Sequence, residues 1–192
     1  MVASSRRPWW YAAGRRRRHT VLTVTALTGA AVPASAGTDD TLVVIDSRSD
    51  VAAGVGLSRV RVHNGDQLVV TTRHRNLRKL AYNDHFTVWV DTRTSHRGPD
   101  YVISGGLSSG TDWATGRATS RWHTRIDPLD GIGTCASGVD ISWGQDKARI
   151  TLGRDCLGGY EGRVRVSVVA GNADVTDYVP ARKTFTDWVA RG

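Results

Sequence analysis

The chain has 192 residues, and its 26 lysines and arginines against 18 aspartates and glutamates give a formal net charge of +8 at pH 7. Six of the arginines lie within residues 1–36, which contain no acidic residue, so the remaining 156 residues carry a net charge of only +2. This near balance argues against nucleic acid as a partner, for which a strongly basic domain is typical.

The N-terminal segment has the layout of a secretory signal peptide. Arginines between residues 6 and 18 are followed by an apolar stretch over residues 21–32 and by small residues that end at Ala36. The apolar stretch is shorter than the roughly 20 residues that cross a bilayer, and no later stretch is longer. We therefore expect cleavage between Ala36 and Gly37, by the Sec route rather than the twin-arginine route, and release of a soluble single domain over residues 37–192.

Alternation of apolar and polar residues recurs after the signal segment and predicts many short strands. The pattern covers residues 41–46, 57–63, 67–73, 85–91, 100–104, 119–125, 139–143, 148–152 and 162–171. Within residues 85–91 it predicts that Phe86, Val88 and Val90 face the core. Residues 184–189 suit a further strand or a helical turn, and residues 75–84 suit a strand least because their leucines can form a helical turn. The sequence thus predicts an all-β fold, an antiparallel, jelly-roll-like β-sandwich of about nine strands.

The apolar pattern also predicts the register of the first hairpin, since a shift by one residue would turn every side chain to the other face. A two-residue loop would place charged and apolar side chains on one face. A three-residue loop at residues 64–66 instead pairs Val62 with Leu68 and Val60 with Val70, so this register is favoured.

A second hairpin brings together the two cysteines of the chain. Pairing Ile141 with Ile150 and continuing the register outward sets Cys135 opposite Cys156 on the inner face. In an exported chain, two such cysteines are expected to form a disulfide. We therefore predict a structural disulfide that closes the open end of this hairpin.

Two motifs with catalytic or metal-binding spacing have alternative explanations. The G-x-S-x-G segment around Ser108 matches a hydrolase nucleophile motif, but no helix is predicted after it, so a glycine–serine loop explains it better. The spacing of Asp46 and Asp50 resembles the start of a calcium loop, although later positions exclude an EF-hand. A looser structural calcium site built from Asp46, Asp50, Asp91 or Asp100 competes with the view that these residues only initiate turns.

The aromatic residues separate into expected core residues and candidate ligand contacts. Core positions are predicted for Trp89, Trp143 and Trp188, which lie in apolar patterns. Trp113 lies in a polar segment interpreted as a loop, where it either folds back as an anchor of the loop or contacts a ligand, and the first is slightly favoured. Trp122 lies in the predicted strand 119–125. Together with Tyr101 they are the candidate residues for stacking on a sugar ring. Two rows of arginines, at residues 59 and 61 and at residues 163 and 165, suit either an acidic polymer or a solvated face.

The mature chain resembles small secreted bacterial proteins of unknown function with a sandwich similar to the DOMON and family-9 carbohydrate-binding-module superfamily. The resemblance is carried by residues 86–92, 98–103, 156–159, 163–168 and 185–192. It implies a ligand-binding, non-catalytic sandwich whose ligand class is sugar or haem. Haem with a methionine ligand is excluded, because the single methionine is Met1 and leaves with the signal peptide.

These observations lead to a functional expectation. The chain is predicted to be a secreted, non-catalytic domain that binds a polysaccharide or another cell-envelope component. The alternatives are a structural or protein-interaction sandwich without a small ligand and, last, a serine hydrolase. No nucleic-acid partner, no transmembrane segment and no cofactor beyond a structural calcium ion are expected.

Overall fold

The computed structural model describes residues 35–36, 40–46, 51, 54–79, 84–96, 98–108, 112–127 and 135–192, all within the compact unit Val32–Gly192. The strands in these residues are β1 (Ser35–Ala36), β2 (Thr41–Ile45), β3 (Leu57–Asn64), β4 (Leu68–His74), β5 (His85–Asp91), β6 (Tyr101–Gly105), β7 (Trp113–Ala118), β8 (Ile126–Asp127), β9 (Ser137–Ser142), β10 (Lys147–Leu152), β11 (Arg165–Gly171) and β12 (Thr176–Val179). Two 3-10 helices are present, Trp143–Gln145 and Arg154–Leu157. The predicted signal segment up to residue 34 and the cleavage position Gly37 lie outside the described residues.

The strands form two antiparallel sheets. Sheet A has the order β1-β2-β3-β4-β10-β9, and sheet B has the order β12-β11-β5-β6-β7-β8. Most neighbours in a sheet are consecutive in the chain, which passes from one sheet to the other after β4, β8 and β10. The predicted antiparallel β-sandwich is therefore confirmed. No helix among the described residues is long and apolar enough to cross a membrane.

Eight of the nine predicted strands are present, and the predicted strand at residues 119–125 is wrong. The strand of this region is β7, which pairs with β6 and ends at Ala118. Residues 119–125 form a turn and irregular chain, with Trp122 in the left-handed region at a φ of 62°. Small residues such as Ala114 and Gly116 take the place of branched aliphatic side chains in β7, so its sequence lacks the usual strand signature.

Further segments differ from the prediction, or form strands that were not predicted. Residues 184–189 form neither a strand nor a helical turn, but irregular chain with a single bridge from Val189 to Val164. Residues 75–79 are irregular, and residues 80–83 lie outside the described residues. Strands β1, β8 and β12 were not predicted from the sequence.

Both predicted hairpin registers are wrong by two residues, although the predicted faces are correct. In the first hairpin Val62 lies opposite Val70, and Asn64 lies opposite Leu68. The loop still has three residues, but it begins after Asn64, because the Asn64 side chain extends β3 by donating hydrogen bonds to Val189 O at 2.9 Å and Gly162 O at 3.2 Å. Partners far along the chain thus decide where this strand ends.

The second hairpin pairs Ile150 with Val139 because the 3-10 helix Trp143–Gln145 removes Trp143 from the ladder. The predicted Cys135–Cys156 disulfide is present, with Cα atoms 5.1 Å apart. It does not continue the ladder as predicted. It joins the chain before β9 to the 3-10 helix that follows β10.

The core lies between the sheets and is built from alternate residues of each strand. As predicted, Phe86, Val88 and Val90 of β5 face this core and are fully buried. Trp89 is buried on the opposite side of sheet B, where it forms a second cluster with Val102 and Val169. Sheet B is therefore covered on both faces.

His74 is a buried histidine whose protonation opposes folding. Its imidazole contacts Thr72 Oγ1 at 2.8 Å and Val55 O at 3.2 Å, and burial lowers its pKa from 6.5 to about 4. As the pH is lowered, the imidazole of His74 is protonated in the unfolded chain at a higher pH than in the folded chain. The stability contributed by neutral His74 is therefore complete above pH 6.5 and is lost as the pH falls toward 4. We expect the preferential protonation of His74 in the unfolded chain to lower the free energy of unfolding by about 2 kcal/mol when the pH is lowered from 7 to 5.

Urea denaturation of the wild type and of His74→Gln at the two pH values measures this contribution. The variant is expected to lose less stability between pH 7 and pH 5 than the wild type, whatever its stability at pH 7. An equal loss in both proteins would contradict the assignment of the effect to His74.

Candidate binding cleft

An open cleft of about 460 Å³ lies between the strand ends of β5–β7 and the chain that follows the second 3-10 helix. It is lined by Thr92, Arg93, Asp100, Tyr101, Arg117 and residues 157–161. Tyr101 is one of the predicted ligand-binding residues, and Asp100 is one of the predicted calcium ligands. The cleft therefore includes the acidic corner between β5 and β6 that the sequence had marked.

Asp100 is a buried carboxylate that holds this corner in place. It accepts hydrogen bonds from Thr92 N at 2.9 Å, Thr92 Oγ1 at 2.7 Å and Arg93 Nε at 2.6 Å. Burial raises the pKa of Asp100, but the hydrogen bonds from Arg93 and Thr92 outweigh burial, so the pKa lies below its ordinary value. The carboxylate is therefore charged at neutral pH and neutralised by Arg93.

Asp91, at the end of β5, is fully buried and forms a second pair with an arginine. Arg165 Nε donates to Asp91 Oδ2 at 2.7 Å, and Arg165 Nη2 lies 2.5 Å from the same oxygen. Burial raises the pKa of Asp91 and outweighs the hydrogen bond from Arg165. The other oxygen, Oδ1, accepts a hydrogen bond from Arg93 N at 3.1 Å, so Asp91 also positions the backbone at the cleft.

The four aspartates predicted as possible calcium ligands have different surroundings. Asp91 and Asp100 are neighbours, but each is paired with an arginine, whose guanidinium supplies the positive charge that a cation would supply. Asp46 is half-buried at the end of β2, and Asp50 lies outside the described residues. In the described part of the chain, no three acidic, histidine or cysteine side chains are grouped as metal ligands would be.

Two consecutive glycines shape the opposite wall of the cleft. Gly158 and Gly159 have φ values of 63° and 75°, in the left-handed region that favours glycine. A Cβ atom on Gly158 would lie 2.8 Å from the Tyr101 hydroxyl. That hydroxyl donates to Leu157 O at 2.8 Å, so Tyr101 of sheet B is tied directly to this wall.

An interior arginine fixes the same wall to sheet A. Arg154 Nη2 donates to Asn64 Oδ1 at 2.8 Å and to Gly65 O. Its Nε lies 3.8 Å from Glu161 Oε2, and Glu161 also pairs with Arg191. Burial lowers the pKa of Arg154, and the charge of Glu161 opposes this effect. The wall is therefore held by both sheets and by the C-terminal segment.

Arg117 differs from the other charged residues of the cleft. Asp100 and Glu161 are neutralised by the arginines described above, whereas the exposed side chain of Arg117 on β7 has no hydrogen-bond or ion-pair partner among the described residues. The cleft thus combines two half-buried tyrosine rings, Tyr101 and Tyr160, with a guanidinium whose donors are available to a ligand.

The two predicted tryptophan contacts lie elsewhere and are not adjacent to each other. Trp113 begins β7 and packs edge-to-face on Phe86, with ring centroids 5.7 Å apart, against the main core. Trp122 packs on Trp89 at 5.6 Å and on Phe185 at 4.7 Å, in the second cluster. The structure therefore does not bring Trp113, Trp122 and Tyr101 together on one binding surface.

The three tryptophans expected in the core have different surroundings. Trp89 is buried, as predicted, but in the second cluster rather than in the main core. Trp143 is half-buried against the main core, and its Nε1 donates to Leu107 O at 3.0 Å. Trp188 is half-buried and lies under the guanidinium groups of Arg163 and Arg165.

Ser108, the serine of the G-x-S-x-G segment, donates a hydrogen bond to Asp84 Oδ1 at 3.1 Å. His123 is the only histidine after Ser108 in the sequence. It lies in the turn between β7 and β8, where its carbonyl accepts a hydrogen bond from Trp89 Nε1 at 3.3 Å. Among the described residues, the hydroxyl of Ser108 thus has a carboxylate partner and no imidazole partner.

The sequence pattern did not identify Arg117 or most of residues 157–161, which form one wall of the cleft. The signal that was present is the pair Gly158–Gly159 followed by Tyr160, because consecutive glycines before an aromatic residue often allow a tight turn and a close approach. Arg117 gave no signal, since its position in the cleft depends on a strand, β7, that the sequence did not reveal.

Comparison with known proteins does not assign this chain to a family. Neither a scan against protein-family models nor a search of curated proteins finds a significant match to this chain.

Proposed function

We propose that this chain is an exported, non-catalytic binding domain that holds a saccharide in the cleft. The observation that carries the proposal is the combination of Tyr101, Tyr160 and Arg117 around an open space of about 460 Å³. Tyrosine rings present an apolar face to the C–H groups of a sugar. The guanidinium and the backbone of the glycine turn offer polar groups to its hydroxyl or carboxylate oxygens.

The dimensions and rigidity of the cleft support this assignment. A space of a few hundred Å³ is typical of small-ligand sites, and such sites are usually formed before the ligand arrives. Here Tyr101 is fixed to Leu157 O, and Arg154 ties the glycine wall to Asn64. A preformed site loses less conformational entropy on binding a flexible sugar.

Two observations support export. The N-terminal segment has the basic, apolar and small-residue order of a signal peptide. The Cys135–Cys156 disulfide is of a kind that persists in oxidising compartments.

Arg117→Gln is expected to weaken saccharide binding at least about tenfold, because a hydrogen bond to a charged donor contributes about 1.5–3 kcal/mol. Stability should be unchanged, since the side chain has no described partner. Tyr160→Ala should weaken binding similarly, and Tyr160→Phe, which keeps the ring, should weaken it less. Isothermal titration with neutral, amino-sugar and uronate tetrasaccharides provides the measurement, and Arg182→Gln, an exposed arginine outside the cleft, is the matched control.

Two results would overturn the proposal. One is a sugar that binds the wild type, Arg117→Gln and Tyr160→Ala with equal affinity, which would place the site elsewhere. The other is the absence of binding by every sugar class, which would favour a structural or protein-interaction domain.

A further inference from the structure

The outward side of sheet A carries a concentrated positive charge. The five cationic side chains that project from β3, β4 and β10 are Arg59, Arg61, Arg73, Lys147 and Arg149, called the basic face below. All four arginines are exposed, and Lys147 is half-buried. None of the five forms an ion pair with another described residue, although Arg73 Nη1 donates to Gln145 O at 2.5 Å.

The strand register arranges three of these cations in one row across the sheet. Arg59 lies directly opposite Arg73, and Arg73 lies directly opposite Lys147. Adjacent strands are about 4.8 Å apart, so three positive side chains follow one another at that interval. The row is formed by three strands of which one, β10, is remote in sequence from the other two.

A second row lies two residues along the strands, at a distance of about 6.8 Å. Arg61 and Arg149 lie on either side of Thr71, which is the register partner of both. These residues line a shallow groove of about 160 Å³ together with His63 and Val69. Two guanidinium groups and a hydroxyl group thus line this groove.

This arrangement is unfavourable for the folded chain. Like charges directly opposite each other in a sheet are destabilising, and the first row contains two such pairs. The outward positions of β2–β4, β9 and β10 hold one acidic residue, Asp140, opposite Arg149. The repulsion in the first row is therefore not compensated by a described neighbour, and an external anion would remove it.

We propose that the basic face binds an acidic polysaccharide chain that carries one carboxylate on each repeating sugar, independently of the cleft. A guanidinium presents a planar pair of donors that matches the two oxygens of a carboxylate. A sheet face with charges in adjacent rows fits an extended polymer with regularly repeated charges better than it fits a single small ligand.

The composition of the face favours a polysaccharide over a single-stranded nucleic acid. Single-stranded nucleic acids are bound through aromatic side chains on which the bases stack. The described strands that form the outward side of sheet A contain no phenylalanine, tyrosine or tryptophan. The bases of a single strand would therefore have no aromatic side chain on which to stack, whereas a polymer of uronate sugars can bind through its carboxylates alone.

The test measures binding of the full exported domain to sodium polygalacturonate by isothermal titration at about 50 mM and about 200 mM salt. The variants Arg59→Gln/Arg73→Gln and Arg61→Gln/Arg149→Gln each remove two charges from the basic face. The matched control Arg125→Gln/Arg182→Gln removes two exposed arginines from turns outside it. Arg117→Gln tests whether the polymer binds in the cleft instead of on the basic face.

Each basic-face variant is expected to lose at least about tenfold in affinity, while the control Arg125→Gln/Arg182→Gln remains within about twofold of the wild type. Affinity should fall with salt, and neutral dextran should not bind. The melting temperature of Arg59→Gln/Arg73→Gln should be at least that of the wild type, because the substitution removes cross-strand repulsion.

Three outcomes would overturn the proposal. Equal losses in the control Arg125→Gln/Arg182→Gln would show that net charge, not the basic face, decides binding. A loss confined to Arg117→Gln would assign the polymer to the cleft. Equal or tighter binding of an oligothymidylate with the same sensitivity to the basic-face variants would assign the face to nucleic acid.

Discussion

Replacing Arg165 with methionine is expected to lower the free energy of unfolding by about 3–5 kcal/mol, because it leaves the buried carboxylate of Asp91 without its charged partner. Asp91 is completely buried at the end of β5, and Arg165 Nε donates to its Oδ2 at 2.7 Å. The Arg165 guanidinium also lies 4.8 Å from the Phe185 ring and 4.6 Å from the Trp188 ring. Methionine retains apolar contact with these rings, so the main change is the loss of the charge and its hydrogen bonds.

The matched control is the double variant Asp91→Asn/Arg165→Met. It removes both charges, and asparagine keeps an oxygen that can accept the hydrogen bond from Arg93 N. Replacing both members of a buried ion pair is much less destabilising than replacing one, so the double variant should recover most of the loss. Urea denaturation of the single and double variants provides the measurement. A double variant as unstable as Arg165→Met would show that the stacking of Arg165, and not its charge, holds the strand end.

Removing the disulfide with Cys135→Ala/Cys156→Ala is expected to lower the free energy of unfolding by about 3 kcal/mol. The bond closes a loop with a sequence separation of 21, and the chain-entropy model assigns a contribution of this size to such a loop. For a domain of this length the melting temperature should fall by about 6–12 °C. Differential scanning calorimetry of the oxidised wild type and the variant gives both values.

The disulfide also has a consequence for the cleft. Cys156 lies in the 3-10 helix Arg154–Leu157, and the glycine wall of the cleft follows directly. Loss of the bond should therefore weaken saccharide binding as well as stability. The reduced wild type is the control, because it should match the alanine variant in both measurements. Full stability and full binding in the reduced protein would contradict a structural role for this bond.

The local pattern of the sequence was sufficient to predict most of the fold. Alternation in β5 predicted that Phe86, Val88 and Val90 face the core, and the same reasoning predicted nine strands, of which eight are present. This succeeds because a half-buried strand must place every second side chain in the core, whatever its partner strand is. The same argument fails for β7, whose small residues do not alternate clearly in polarity.

Register and strand ends required contacts between distant parts of the chain. The first hairpin was predicted two residues out of register, because its loop begins after Asn64 only when the Asn64 amide can reach Gly162 O and Val189 O. A two-residue shift keeps every side chain on the same face, so the apolar pattern contains no information that distinguishes the two registers.

Some residues of the two candidate binding surfaces were identified from the sequence, and others only from the tertiary structure. The sequence identified Tyr101, Asp100 and the row of Arg59 and Arg61, since each lies in or beside a recognisable strand. Only the tertiary structure placed Tyr160 and Arg117 around Tyr101, and only the pairing of β4 with β10 added Lys147 and Arg149 to the basic face. Side-chain direction along a strand is a local property of the backbone, whereas the neighbours of a strand depend on which distant segments pair with it.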